Sequence, residues 1–236
     1  MKNNSEIKKP IVIGHRGAKF HALENTVDSI KKAIVLKADM VEVDVRLTKD
    51  NVPVLMHDMR INRTTDGKGR VSKLTLKEIK RFNTDGEKVP TLEHVLRNFK
   101  NIKFNLHMKE YKAMLPALKL IYKHKAEDRI MVSSFSLGVL RLLKEFNPQI
   151  ESALICIVPR KSSLRLAKRL KLNAVNPHYF FVTKRFIERA HRLGIEVNPW
   201  TVNNLHKIEK LIENDADGII TDDPSLIKKR SRRKIY

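Results

Sequence analysis

Short apolar segments alternate with amphipathic segments along almost the whole chain, and this alternation restricts the available folds more than any other feature. The apolar segments have the length of β-strands, whereas the amphipathic segments carry apolar residues at the spacing of one helix face. Strands that alternate with helices through short connections are typical of parallel α/β folds. The predicted strands are 11–15, 40–47, 103–109, 130–135, 151–158, 174–178, 196–202 and 218–221. The predicted helices lie near 26–37, 91–99, 111–124, 137–146, 162–171, 183–193, 204–213 and 225–233.

Eight strands with eight following helices are the repeat number of a (β/α)₈ TIM barrel. A doubly wound open sheet, the alternative fold, uses fewer strands. The chain has 236 residues, close to the roughly 250 residues of a typical barrel. We therefore predict one barrel domain at 11–227, with an N-terminal extension at 1–10 and a basic C-terminal tail at 228–236.

The connection after the second predicted strand is longer than the others. Residues 52–58 predict an extra extended segment, and a turn-rich loop and a short helix at 76–81 follow it. Long loops at the carboxyl ends of barrel strands usually shape the substrate pocket. We expect a lid or pocket wall at 59–89, and the residues of this segment are mostly polar or charged.

Composition narrows the class of protein. No apolar run reaches the roughly 18 residues that a membrane helix requires. The single cysteine, Cys156, permits no internal disulfide. This cysteine usage is typical of a reducing compartment, so we expect a cytoplasmic protein.

The formal net charge of +22 is unusual for such a chain. Ten Lys and Arg residues lie between Arg160 and Arg192, against the single acid Glu188, and the tail carries six more. This basic patch suits weak contact with an anionic membrane surface, although a solvated helix face is the simpler interpretation. No nucleic-acid-binding motif accompanies the charge, so no specific nucleic-acid partner is expected, and the oligomeric state is left open.

Glu42 and Asp44 are two positions apart in a predicted strand, so their side chains share one face. Two carboxylates that face a barrel interior are costly unless they bind a cation or a paired charge. We therefore predict that they hold one divalent metal ion. Oxygen ligands favour Mg²⁺, Ca²⁺ or Mn²⁺.

His15 and His57 each end a predicted extended segment, where barrel enzymes carry their chemistry. Two imidazoles that titrate near neutral pH suit the deprotonation of a nucleophile and the protonation of a leaving group. Arg16 and Lys109 supply positive charge of the kind that phosphate oxygens require. Together these residues suit the cleavage of a phosphodiester.

Motifs along nearly the whole chain resemble the glycerophosphodiester phosphodiesterase family. The first group is Gly14-His15-Arg16-Gly17-Ala18, Glu24-Asn25-Thr26, Glu42 to Asp50 and Val54-Leu55-Met56-His57-Asp58. The second group is Ser133-Ser134-Phe135-Ser136, Trp200-Thr201-Val202-Asn203 and Asp217 to Pro224. So many motifs in the family's order make the resemblance highly specific.

The resemblance implies a TIM barrel and metal-dependent hydrolysis of glycerophosphodiesters, such as glycerophosphocholine or glycerophosphoethanolamine, to sn-glycerol 3-phosphate and an alcohol. It implies that two histidines are acid/base residues, that two carboxylates bind the metal and that two basic residues contact phosphate. The histidines are His15 and His57, the carboxylates are Glu42 and Asp44, and the basic residues are Arg16 and Lys109. Trp200 is similar to the family's pocket-wall tryptophan and is either a substrate contact or part of the core.

One position departs from the family pattern. The third strand of the family usually supplies a glutamate to the metal, whereas this chain has His107 there, in Asn105-Leu106-His107-Met108-Lys109. Glu110 is not expected to replace it, because strand alternation points its side chain the other way. We hypothesise that His107 is a metal ligand and that it shifts the preference towards Mn²⁺, Co²⁺ or Zn²⁺.

Two alternatives to hydrolysis of small glycerophosphodiesters are left open by the sequence. One is a lysophospholipase D that acts on lysolipids at a membrane surface, for which a hydrophobic groove in the 59–89 segment would be expected. The other is a catalytically weakened barrel that binds phosphates or polyanions without cleaving them. Retention of the two histidines, two carboxylates and two cations argues against the second alternative.

Overall fold

Eight parallel strands form a nearly closed TIM barrel in the computed structural model, which describes residues 9–227. The barrel strands are β1 (Ile11–Gly14), β2 (Met40–Leu47), β4 (Lys103–Met108), β5 (Ile130–Ser134), β6 (Glu151–Cys156), β7 (Ala174–Pro177), β8 (Glu196–Val197) and β9 (Gly218–Thr221). Their order around the sheet is β8-β7-β6-β5-β4-β2-β1-β9, and β3 (Pro53–Leu55) is antiparallel to β2. The barrel prediction is confirmed, and the alternative of a doubly wound open sheet is wrong.

Backbone hydrogen bonds outside the regular ladder bring β9 against the segment that follows β8. The amide of Ile220 donates to the carbonyl of Pro199 at 3.0 Å, and the amide of Val202 donates to the carbonyl of Ile220 at 2.9 Å. The predicted strand 196–202 is therefore extended along most of its length, but only its first two residues form a regular strand. Pro199 has no amide hydrogen to contribute to a ladder, which is one reason that β8 stops early.

Eight α-helices lie within the described residues; seven pack around the barrel, and the second belongs to the insertion after β2. They are α1 (Val27–Val35), α2 (Leu76–Ile79), α3 (Leu92–Asn98), α4 (Met114–Lys123), α5 (Leu137–Phe146), α6 (Lys161–Arg169), α7 (Lys184–His191) and α8 (Leu205–Glu213). Thr26 caps α1, because its hydroxyl accepts a hydrogen bond from the amide of Ser29 while the Ser29 hydroxyl accepts one from the Thr26 amide. The predicted last helix begins at residue 225, and most of it lies outside the described residues, as do residues 1–8 of the predicted extension and the tail at 228–236.

The insertion after β2 has an apolar core of its own. After β3 it contains two short 3₁₀ turns, at Ile61–Arg63 and Val71–Lys73, and then α2. A buried cluster joins these elements to β3 and to the segment before α3, and it consists of Val54, Met56, Ile61, Val71, Ile79 and Val89. The predicted lid is consequently a packed wall beside the barrel mouth.

The main apolar cores lie between the strands and the surrounding helices. A smaller cluster fills part of the barrel interior, and it consists of Ile13, Met40, Met131, Ala153, Ala174 and Ile220. None of the helices within residues 9–227 has the length and apolar composition that crossing a bilayer requires. Polar side chains fill the remaining interior, and they define the site.

Candidate active site

All eight residues predicted for the site line one pocket, although they come from five different parts of the chain. Strands and loops at the carboxyl end of the barrel supply them, where active sites of this fold lie. The predicted residues in the pocket wall are His15, Arg16, Glu42, Asp44, His57, His107, Lys109 and Trp200. The pocket is completed by Asn105, Ser133, Phe135, Ile155, Asn176 and Ile220.

Glu42, Asp44 and His107 form a compact cluster of potential metal ligands. One ligand atom from each residue lies within 4.8 Å of the others. Nδ1 of His107 is 3.0 Å from Oδ1 of Asp44 and 3.7 Å from Oε1 of Glu42. The strand register explains why the side chains of Asp44 and His107 are close, because Asp44 of β2 is the direct neighbour of His107 of β4. The sequence had predicted these three residues to act together.

Asp44 accepts contacts from several donors at once. Nδ2 of Asn25 donates to Oδ2 of Asp44 at 3.0 Å, and Nε of Arg16 lies 3.2 Å from the same oxygen. Nζ of Lys109 lies 3.3 Å from Oδ1. Burial disfavours the charged carboxylate, but the hydrogen bond with His107 and the positive charges of Lys109 and Arg16 outweigh it, so the pKa of Asp44 is well below its usual value.

The pKa of His107 is shifted in the opposite direction. Burial disfavours the imidazolium ion, but the interactions with the carboxylates of Asp44 and Glu42 outweigh burial and raise the pKa. The two carboxylates therefore attract a positive charge, and a proton on His107 supplies one in the metal-free protein. A divalent cation would compete for the same position.

The charge balance and the polar lining fit a divalent ion. The formal charges of Glu42 and Asp44 balance those of Arg16 and Lys109, so a divalent cation with neutral His107 would leave an excess of positive charge for an anionic diester. Within residues 9–227, neither polar side-chain atom of the buried Asn105 has a hydrogen-bond partner, and Asn105 pairs in register with Glu42. Buried polar groups usually have partners, so the unpartnered Asn105 amide fits a pocket that can bind a polar or charged species.

Each of the two predicted acid/base histidines is held by a carboxylate. Nδ1 of His15 lies 2.6 Å from Oδ1 of Asp222, and Nδ2 of Asn203 donates to Oδ2 of the same aspartate at 2.7 Å. Nδ1 of His57 lies 2.7 Å from Oδ1 of Asp58. A carboxylate at Nδ1 holds that nitrogen protonated and orients the ring, so Nε2 is the atom available for proton transfer.

The pKa of His57 is lowered. Burial is the largest cause, and it outweighs the opposing effects of the Asp44 charge and of the hydrogen bond with Asp58. The pKa of Asp58 is also lowered, above all by hydrogen bonds from Arg63. His57 is consequently neutral at neutral pH and suited to accept a proton.

An ion-pair network connects the second histidine to the first motif. Nε of Arg63 donates to Oδ2 of Asp58 at 2.7 Å, and both terminal nitrogens of Arg63 donate to Glu24, at 2.6 and 3.0 Å. Glu24 also accepts from Nη1 of Arg16 at 2.8 Å. Since Arg63 belongs to the 3₁₀ turn Ile61–Arg63, this network fixes the insertion against the barrel mouth.

A left-handed turn after β1 positions Arg16. The φ angles are 52° for Arg16 and 91° for Gly17. A Cβ atom on Gly17 would lie 2.3 Å from Oγ of Ser29, so only glycine fits there. The turn directs the Arg16 amide at Oε2 of Glu42, to which it donates at 2.8 Å.

Glu110 lies outside the ligand cluster. Its Oε1 accepts a hydrogen bond from Nη1 of Arg46 at 2.8 Å, and Nε of Arg46 donates to the carbonyl of His57. Trp200 lines the pocket. Its ring lies 5.9 Å from that of Phe135, and its Nε1 donates to the carbonyl of Asn176. This geometry agrees with the expectation for Glu110 and gives Trp200 a place in the wall.

The residues that hold the two histidines were not among the predicted site residues. Asp58, Asp222 and Asn203 nevertheless belong to the motifs that resemble the family, and Asp58 directly follows a predicted acid/base histidine. Arg63 lies in a turn-rich loop with no local signal of its own. Only the folded chain brings these residues within hydrogen-bond distance of the site.

Comparison with known proteins finds glycerophosphodiester phosphodiesterases among the similar proteins. The model of the glycerophosphoryl diester phosphodiesterase family matches residues 15–226. A glycerophosphodiester phosphodiesterase of Caldanaerobacter subterraneus subsp. tengcongensis is 34% identical over 234 residues, which cover 93% of this chain and 96% of the relative. Glycerophosphodiester phosphodiesterase 1 of Bos taurus is 35% identical, and the match covers 89% of this chain and 77% of that protein.

Solved structures agree with this similarity. A phosphodiesterase from Oleispira antarctica, in complex with the product sn-glycerol-3-phosphate, superposes with a TM-score of 0.90 at 26% identity and covers 94% of this chain and 97% of its own. A glycerophosphodiester phosphodiesterase from Thermotoga maritima has a TM-score of 0.83 at 28% identity, with coverage of 94% and 99%.

Proposed function

The chain belongs to the glycerophosphoryl diester phosphodiesterase family, and from that membership we propose that it hydrolyses glycerophosphodiesters to sn-glycerol 3-phosphate and an alcohol, with one divalent metal ion. The family consists of phosphoric diester hydrolases, so the chain is an enzyme of that class. The observation that carries the specific proposal is that one pocket holds both the ligand cluster and two carboxylate-bound histidines. Glycerophosphocholine and glycerophosphoethanolamine are the substrates that we propose.

The proposed metal ligands are Glu42, Asp44 and His107. When bound, a divalent ion supplies electrostatic stabilisation to the phosphoryl oxygens. Oxygen ligands favour Mg²⁺, Ca²⁺ or Mn²⁺, whereas the imidazole of His107 moves the preference towards Mn²⁺, Co²⁺ or Zn²⁺. Arg16 and Lys109 lie on either side of Asp44, where they also meet the negative charge of the phosphate.

The two histidines carry the proton transfers. His57, neutral at neutral pH, accepts the proton of the attacking hydroxyl group, and His15 protonates the departing alkoxide. Asp58 and Asp222 hold the imidazole rings in position and fix their tautomers. Trp200, which lines the pocket, packs against the substrate. We propose that the reaction takes place in the cytoplasm, on the basis of the single cysteine.

A turnover assay on metal-free protein tests this proposal. The purified chain is treated with a chelator, and Mg²⁺, Ca²⁺, Mn²⁺, Co²⁺ or Zn²⁺ is then added with glycerophosphocholine or glycerophosphoethanolamine. We expect release of glycerol 3-phosphate, its loss in His15→Asn and His57→Asn, and normal rates in the control His206→Asn, which replaces an exposed histidine of α8. Absence of hydrolysis with every metal would favour the phosphate- or polyanion-binding alternative.

Lysophospholipase D activity is the second candidate, and the apolar side of the pocket favours it. Phe135, Ile155 and Trp200 line the same pocket as the carboxylates, so an apolar part of a substrate has a surface to contact. Comparison of kcat/KM for glycerophosphocholine with that for a short-chain lysophosphatidylcholine, below its micelle concentration, separates the two activities. A higher value for the lysolipid would support the second candidate.

A further inference from the structure

The exposed apolar side chains of the described residues are concentrated at one end of the barrel. Of twelve large apolar residues with exposed side chains, eight lie on the loops that follow the strands at the pocket end. These eight are Phe20, Met59, Tyr111, Phe135, Ile157, Val158, Phe180 and Phe181. Isolated exposed apolar residues are normal, but a cluster at one face usually marks an interaction surface.

Six of these residues follow four neighbouring strands of the barrel. We call this set the apolar rim, and it consists of Tyr111, Phe135, Ile157, Val158, Phe180 and Phe181. β4, β5, β6 and β7 pair in that order, so the four loops are neighbours in space. The Phe180 side chain is 71% exposed and the Ile157 side chain 57%, which is costly for apolar groups that meet only water.

Ring contacts connect the apolar rim to the catalytic pocket. The ring of Trp200 lies 5.3 Å from that of His178, which lies 6.1 Å from Phe181. Phe180 and Phe181 are in contact at 5.2 Å with their rings nearly perpendicular. The exposed rings are therefore supported from the pocket outwards, and the rim is continuous with the pocket wall.

Positive charges accompany the apolar rim. Arg160 and Lys161 follow Ile157 and Val158, whereas Lys184 and Arg185 follow Phe181, and all four side chains are exposed. Neither 157–161 nor 178–187 contains an acidic residue. These cations lie at the amino ends of α6 and α7, where the helix dipole disfavours positive charge. Local helix stability does not explain cations at these positions, whereas binding to an anionic partner does.

We infer that the apolar rim and its four cations form a docking surface for an anionic lipid bilayer, so that the pocket mouth faces the membrane. Apolar and aromatic side chains enter the boundary between headgroups and acyl chains, while Lys and Arg bind the anionic headgroups. The sequence had suggested membrane contact through the basic segment 160–192 as a whole. The structure restricts the contact to the four cations of that segment that lie next to the apolar rim, at the amino ends of α6 and α7. The inference goes beyond the proposed function, because docking requires no turnover.

Vesicle sedimentation of the full chain tests the docking surface without an activity measurement. Vesicles of phosphatidylcholine alone are compared with vesicles that also contain phosphatidylglycerol, at low and moderate salt. The variant is Phe180→Ser with Phe181→Ser, and the matched control is Val35→Ser with Phe146→Ser, which removes exposed apolar side chains from the ends of α1 and α5. Arg160→Glu with Lys184→Glu tests the charges.

We expect binding of the wild type to the anionic vesicles, and a roughly tenfold lower partition coefficient in the aromatic variant, because two phenyl rings no longer enter the interface. The charge variant should lose binding as well, and the control should bind like the wild type. No binding of the wild type at low salt would overturn the inference. Equal loss in variant and control, or binding that depends on charge but not on Phe180 and Phe181, would overturn it too. Circular dichroism confirms that each variant is folded.

Discussion

Nδ1 of His15 lies 2.6 Å from Oδ1 of Asp222, although the two residues are 207 positions apart in the sequence. His15 follows β1 and Asp222 follows β9, and these two strands pair in parallel through four residues of each. The amide of His15 also donates to the carbonyl of Thr221 at 2.8 Å. Pairing of the first and last strands thus completes one of the two histidine–carboxylate pairs of the site.

We expect Asp222→Asn to lower kcat by about a hundredfold with little change in KM, because the amide no longer fixes the tautomer of His15. The effect should not add to that of His15→Asn, since both changes act on one imidazole. Steady-state kinetics of the two single variants and the double variant provide the test. Asp223→Asn is the control, because Asp223 pairs with His21 at 2.8 Å outside the pocket. A full additive loss in the double variant would contradict this role for Asp222.

The lowered pKa of His57 predicts the acidic limb of the pH profile. Because the imidazole must be neutral to accept a proton, kcat/KM should fall with decreasing pH only below the ordinary histidine value of about 6.5. The hydrogen bond with Asp58 raises the pKa of His57, so Asp58→Asn should move this limb to still lower pH while it reduces the maximum rate. NMR titration of His57 measures the same shift directly. A limb that moves to higher pH in Asp58→Asn would exclude His57 as its source.

The fold could be predicted because its signal is local and repeated eight times. The apolar strands and amphipathic helices lie close to their predicted positions. Strand alternation alone predicted that the side chains of Glu42 and Asp44 share one face. The end of β8 could not be predicted, because its bonds to β9 depend on barrel closure. Sequence patterns report on neighbours along the chain, whereas barrel closure depends on pairing between strands that are distant in the sequence.

The hydrogen-bond partners of the site residues could not be predicted either, because they are distant in the sequence. Arg63 lies 39 positions from Glu24, and no spacing rule connects them. Similarly, lysolipid binding would require a hydrophobic groove in the 59–89 segment, whereas this segment packs as a wall. The exposed apolar residues lie instead on loops of separate barrel repeats, such as Phe135 and Phe180, and only the barrel brings those loops together.

Glu24 stabilises the mouth by its pairing with Arg16 and Arg63, so we expect Glu24→Gln to lower the free energy of unfolding at neutral pH by about 1–3 kcal/mol. Burial opposes the charged carboxylate, but the hydrogen bond from Arg63 and the charges of the two arginines outweigh it and lower the pKa of Glu24. A lowered folded-state pKa contributes stability above the unfolded value, and this contribution is lost as the pH falls through the folded value. Urea unfolding should therefore show a difference between wild type and variant at pH 7 that shrinks below about pH 4.5. A constant difference across this range would contradict the ion-pair explanation.

Asn105 should show opposite effects on stability and activity. Both polar atoms of its side chain lack hydrogen-bond partners within the described residues, and the side chain is 1% exposed. Replacement of a buried unsatisfied amide by an apolar side chain removes its desolvation cost, so Asn105→Leu should raise the Tm of the metal-free protein. The same change should lower metal affinity or turnover, because the amide then no longer contacts a bound species in the pocket. Thermal unfolding with and without metal tests both parts, and a lower Tm in the metal-free variant would show that the amide is already satisfied.

Metal binding should release a proton from His107. In the metal-free protein its interactions with the carboxylates of Asp44 and Glu42 outweigh burial and raise its pKa above the ordinary value, so a larger fraction of the imidazolium ion is present than in a free histidine. A metal ligand must be the neutral imidazole, and affinity should therefore increase with pH until His107 is deprotonated without metal. Isothermal titration calorimetry with Mn²⁺ in two buffers of different ionisation enthalpy counts the protons released. His107→Glu should bind with little proton release near neutral pH and should shift the preference towards Mg²⁺ or Ca²⁺, whereas His107→Ala should bind all of these ions weakly. Unchanged Mn²⁺ affinity and proton release in His107→Ala would show that His107 is not a ligand and that the two carboxylates hold the ion without it.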